Sequence, residues 1–163
     1  MKRLILILIA CYIGYNGAFA QSLGRIALGC SRIDVVLNLP KRFNVCKNNT
    51  SELLTYTSNG GYEYLSIYFK DNLAHKIVMH KFIGLSSSSS SAKSKLEDVV
   101  MDLCQTWGQP SYTGEKIYWL FPSAKATFSH TTTISQFHGP YGLETEYSCY
   151  VDIILEKRSS LFE

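Results

Sequence analysis

The side chains of this chain that carry reactive chemistry are four histidines, five cysteines and a pair of closely spaced glutamates. Their spacing forms no catalytic set. His75 and His80 lie an odd number of residues apart on an expected strand, so they point to opposite faces and cannot share a metal or act as a dyad. Cys149 with His130 or His138 would make a nucleophilic Cys–His pair. Cys149, however, falls in an apolar strand alternation, whereas a reactive thiolate needs an exposed, electropositive setting. Glu144 and Glu146 share one strand face and could work as paired carboxylates, although a solvated face accounts for them equally. No Gly-x-Ser-x-Gly elbow is present, and Ser86–Ser91 is a low-complexity run. No paired Cys-x-x-Cys supports zinc. We therefore expect no catalytic residue, no metal and no cofactor; a small secreted hydrolase with an unrecognised site is the alternative.

A binding surface is the reading with more support. Leu65, Ile67 and Phe69 alternate with Tyr64, Ser66 and Tyr68, so Tyr62, Tyr64 and Tyr68 fall on the face that an antiparallel sheet can leave open. Aromatic rings give a large contact area at low entropic cost, and these three are the candidate binding residues.

Elements to position them are legible along the chain. Ser31 followed by Asp34 has capping-box spacing. It predicts a first helix with Ile33, Val36 and Leu37 lining one face, ended by Pro40. Ser94 and Glu97 repeat the spacing for a second helix, whose Leu96, Val99, Val100, Leu103 and Trp107 form a core-facing stripe. Gly108 and Pro110 end that helix. Strands are expected at Leu53–Ser58, Tyr62–Lys70 and Leu73–Ile83, with Asn59-Gly60 and Asp71-Asn72 as turns. Further strands are expected at Lys116–Phe121, Lys125–His130 and Leu143–Lys157. The expected fold class is α+β: two αβββ-like units, about 26–85 and 92–157, joined by a flexible serine-rich connection at 86–91 and packed as helices against an antiparallel sheet.

The amino terminus reads as a secretory leader. Lys2 and Arg3 precede the apolar Leu4–Ala10, and Ala18-Phe19-Ala20 supplies a cleavage site before Gln21. Tyr12, Gly14, Tyr15, Asn16 and Gly17 interrupt the apolar run well short of the ~20 residues that a membrane span needs. Leu8-Ile9-Ala10-Cys11 resembles a lipobox, but the downstream site is favoured over lipidation at Cys11. The expectation is a single domain of residues 21–163, periplasmic or extracellular, with no membrane span after cleavage. With 16 basic and 13 acidic side chains, two of the basic ones in the leader, nothing marks a nucleic-acid partner.

Export also frames the remaining cysteines, Cys30, Cys46, Cys104 and Cys149. They allow up to two disulfides and three pairings. Cys104 and Cys149 both fall on apolar faces of the second half, and their pairing is the one expected.

Two stretches support an internal duplication: Asp34-Val35-Val36-Leu37-Asn38-Leu39 reads against Asp98-Val99-Val100-Met101-Asp102-Leu103, with Pro40 and Pro110 following. The segment Leu28–Pro40, followed by Tyr64–Met79 with its Phe69-Lys70-Asp71-Asn72 turn, resembles the SmpA/OmlA envelope-protein pattern. Trp107-Gly108-Gln109-Pro110 and the aromatic strand after it look like a second copy. The first copy carries Asn38-Leu39-Pro40 where the pattern has Gly-x-Pro. Two such units in tandem are similar to the β-lactamase inhibitor proteins. The resemblance implies a non-enzymatic binding module of the cell envelope, an inhibitor or an assembly factor, whose partner is a protein or another envelope macromolecule.

Overall fold

A computed structural model describes residues 22–23, 26–47, 49–113 and 116–158. The expected leader, its cleavage site and Cys11 lie outside the described residues. No helix among the described residues is long and apolar enough to cross a membrane.

Ser31 caps the first helix, α1 (Arg32–Asn38), as its spacing predicts. Its hydroxyl accepts from the Asp34 amide, and the Asp34 carboxylate accepts from the Ser31 amide in return. The apolar face of this helix is not the one that docks. Ile33, Val36 and Leu37 are exposed, and the helix docks through buried Val35 and half-buried Leu39. The reason is geometric: Val35 and Leu39 are also four residues apart and form the alternative helical stripe.

The second helix, α2 (Ser89–Trp107), begins earlier than expected. Ser88 is its cap, accepting from the Ser91 amide. The serine run is thus the end of a strand, a cap and a first helical turn, and not a flexible connection. The predicted stripe holds, since Leu96 and Trp107 are buried and Val99, Val100 and Leu103 pack against the core. Gly108 closes the helix at φ 81°, its amide bonded to the Cys104 carbonyl at 2.9 Å.

Strands make up most of the rest. A short hairpin, β1 (Ser22–Leu23) and β2 (Ile26–Ala27), precedes α1; β3 (Phe43–Val45), β4 (Leu53–Ser58), β5 (Glu63–Lys70) and β6 (Leu73–Ser86) follow it. After α2 come β7 (Ser111–Thr113), β8 (Lys116–Leu120), β9 (Ala124–Gly139) and β10 (Gly142–Lys157). Apart from the β1–β2 hairpin these form one antiparallel sheet in the order β3-β4-β5-β6-β10-β9-β8-β7. Each helix is followed by a four-stranded meander, and the last strands of the two meanders, β6 and β10, pair in the middle.

This corrects the expected α+β class of helix-plus-three-strand units. Strand accounts for 57% of the described residues and helix for 20%, so the molecule is predominantly an antiparallel sheet. Neither β3 nor β7 was anticipated, because three-residue edge strands carry too little alternation to be read. Their shortness has a physical use, for a brief edge offers few unpaired backbone groups to another chain.

One continuous core, from Leu23 to Leu155, fills one face of the sheet beneath both helices. Within it Tyr56 is buried, and its hydroxyl has no hydrogen-bond partner among the described residues. Burial pushes its phenol above the ordinary value of 10.0, while the charge of Arg32 pulls it down. Tyr56→Phe is therefore expected to stabilise the fold by about 1 kcal/mol, because an orphaned buried hydroxyl is removed. The pH dependence has a definite sign. Above about pH 10 the unfolded phenol ionises before the folded one, so the unfolded state binds fewer protons and stability falls as pH rises. Urea titrations at neutral and alkaline pH should show the variant's advantage growing above pH 10; an equal or shrinking advantage would refute the assignment.

Candidate functional site

Alternation in β5 decides where the tyrosines go. Glu63, Leu65, Ile67 and Phe69 are buried, so Tyr64 and Tyr68 must project from the opposite face. Tyr62, just before the strand, is 60% exposed, Tyr64 47% and Tyr68 36%. Among the described residues no element packs over this face.

Cross-strand register builds a surface around them. Tyr64 stands opposite His80 of β6, which stands opposite Asp152 of β10. The next row is Ser66, Val78 and Ile154, and the third is Tyr68, Lys76 and Glu156. Beyond the first row Phe82 pairs with Tyr150. Rings join these positions: Tyr62 stacks on Phe82 at 5.7 Å, Phe82 meets Tyr150 at 5.2 Å, Tyr150 stacks on His80 at 5.6 Å, and Tyr64 tilts against His80 at 6.3 Å. Such contacts hold rings in place beyond what their burial does. His80 Nδ1 lies 2.7 Å from Asp152 Oδ1, and Lys76 Nζ lies 3.6 Å from Glu156 Oε2.

Tyr62 and Tyr64 thus belong to one aromatic cluster, and Tyr68 sits two rows away beside an ion pair. Phe82, Tyr150, His80 and Asp152 were not anticipated as members. Tyr150 and Asp152 left a sequence trace, since both occupy polar-side positions of the last strand's alternation. The others become neighbours through the β5–β6–β10 order, which no local pattern encodes.

No family model, curated protein or solved structure matches the chain.

The reactive side chains are dispersed. His75 lines a separate hollow of about 520 Å³ with Ser51, Glu52 and Asp71, away from His80. Cys149 is fully buried, opposite Thr132. Glu144 and Glu146 project beside Phe137 and Ser135 on the β9–β10 ribbon. Among the described residues no group of three or more His, Cys, Asp or Glu side chains is placed to hold a metal. No disulfide joins Cys30, Cys46, Cys104 or Cys149 in this structure. Cys104 and Cys149 do face the apolar side, as expected, but they pack there as small hydrophobes.

Proposed function

We propose that the chain is an exported, non-catalytic binding module of the cell envelope that holds a macromolecular partner, as an inhibitor or an assembly factor, on its open sheet face. The observation that carries this reading is the exposed cluster of stacked rings around Tyr62 and Tyr64, with Tyr68 at its flank. Interface hot spots favour such side chains: large, amphipathic and pre-positioned, with little entropy left to lose on binding. The ion pairs His80–Asp152 and Lys76–Glu156 set polar groups beside the rings, where they can give orientation and specificity. The leader-like amino terminus and the SmpA/OmlA-like segments support the envelope as the setting.

The test begins with the mature protein as bait in native envelope extract, followed by affinity measurement with the purified partner. At least one of Tyr62→Ala, Tyr64→Ala and Tyr68→Ala should weaken binding by about 1 kcal/mol or more, with the melting temperature barely changed. Unfolding of the triple variant would assign the rings to stability. Undiminished binding by a folded triple variant would place the interface elsewhere.

A further inference from the structure

The distal half of β9 is an open strand edge of a kind that the rest of the sheet avoids. β8 follows β9 only as far as the pair Ile117–Phe128, and β6 follows β10 only as far as Ser86–Tyr147. From Ser129 to Gly139, β9 is paired with β10 alone, and past the Ile134–Tyr147 pair the two strands extend beyond β6 as well, as a two-stranded ribbon. Among the described residues nothing pairs with the outer edge of that segment.

Proteins protect such edges with charges, prolines, bulges or brevity. None of these is present. Between Ala126 and Gly139 the sequence holds no Lys, Arg, Asp, Glu or Pro. The β9–β10 register runs without a shift, whereas the β5–β6 and β6–β10 pairings each contain one. Both outer edges of the sheet, β3 and β7, are three residues long. The open segment is rich in threonine with Ile134 and Phe137, residue types that favour strand pairing. These two side chains are 60% and 46% exposed.

We propose that this edge is a self-association site, where β9 of one copy pairs antiparallel with β9 of a second copy about a two-fold axis at Ile134. The sequence is self-complementary around that point. Ile134 meets its own copy, Thr133 meets Ser135, Thr132 meets Gln136, Thr131 meets Phe137 and His130 meets His138. Hydroxyl pairs and aromatic–β-branched pairs are favourable cross-strand combinations, and no acid or lysine is opposed to its like. The ribbon's acids, Glu144 and Glu146, lie on β10. In the pair they are kept apart by three strand spacings, about 14 Å, which exceeds the ~8 Å screening length at physiological salt. A symmetric dimer therefore gains a ladder of backbone hydrogen bonds without charge repulsion. Pairing at the ribbon joins the two sheets edge to edge and leaves the Tyr62–Tyr64 cluster uncovered.

Sedimentation velocity of the mature protein in the high-micromolar range should give a dimer. Ile134→Cys should yield a disulfide-linked dimer under mild oxidation, because the axis brings the two cysteines together. Thr133→Glu should raise the dissociation constant by about tenfold or more. Adding Ser135→Lys to Thr133→Glu should restore the dimer, since each new acid then faces the partner's new base. Circular dichroism confirms that each variant is folded, and Ile134→Lys, at an exposed position, provides a second dissociating variant. A monomeric wild-type protein would overturn the proposal, including one that instead accepts an extended segment of another protein on this edge. So would a dimer that tolerates both Ile134→Lys and Thr133→Glu.

Discussion

Trp119→Ala is expected to cost about 3–5 kcal/mol, the range for truncating a fully buried tryptophan, and so to remove a large part of the stability of a domain this size. Trp119 is 1% exposed on β8. Its ring meets Trp107, the last residue of α2, edge to face at 5.3 Å, and Trp107 in turn meets Phe121 at 6.1 Å. Its indole N–H donates to the Gly108 carbonyl at 2.9 Å, at the residue that closes α2. One side chain thus fills the core and holds the carboxyl end of the helix to the sheet. Trp119→Phe separates the two roles. It keeps an aromatic ring but orphans the Gly108 carbonyl, and should cost less than the alanine variant. Urea midpoints decide the matter: a loss below about 1 kcal/mol for Trp119→Ala would mean that the cluster relaxes around the cavity and does not tie helix to sheet.

The parts of the fold that were legible are those where a local pattern meets no competitor. β4 and β5 alternate against a one-sided core, and the starts of β4, β5 and β6 fall within a residue of expectation. The cap at Ser31 and the closure at Gly108 follow from the same local hydrogen-bonding rules. Reading failed where two local solutions were equally good. Ser88 and Ser94 are both acceptable caps, and tertiary packing chose the earlier one, burying Ala92 in the first turns of α2. In α1 the stripe Ile33–Val36–Leu37 is the more apolar, yet Val35 and Leu39 face the core. The extension of β9 through Thr131–Ser135 lacked apolar alternation because all of these residues but Thr132, which stands opposite buried Cys149, are exposed there. Of the site, Tyr62, Tyr64 and Tyr68 were accessible through the strand period alone. His80, Phe82, Tyr150 and Asp152 depend on long-range strand order, and the cysteine state depends on three-dimensional placement that spacing does not determine.

The strand that carries the tyrosines is anchored by a buried acid. Glu63, 8% exposed, faces the core side at the start of β5, directly beside Tyr62 and Tyr64. Its carboxylate lies 3.1 Å from Arg42, next to β3, and 3.1 Å from Lys81, its cross-strand partner on β6. Its amide donates to the Ser58 hydroxyl at 3.0 Å. Both cations are well exposed, so each keeps most of its hydration when the acid is removed, whereas the acid cannot regain water when the cations are removed. The mutational response should therefore be strongly asymmetric. Arg42→Ala or Lys81→Ala alone should cost about 1 kcal/mol or less, because the other cation still pairs with Glu63. The double variant should cost about 3 kcal/mol at neutral pH, because an unpaired carboxylate is left buried. Glu63→Leu added to the double variant should recover much of that loss, since an apolar side chain of similar volume needs no partner. Denaturant titrations of the full cycle supply the check: additive effects of the two alanine substitutions would show that Glu63 is not held as a buried charge. The same cycle bears on the binding face. A loosened β5 start lets Tyr62 and Tyr64 leave the positions in which they stack, so partner affinity should fall in the Arg42→Ala, Lys81→Ala double variant and return with Glu63→Leu.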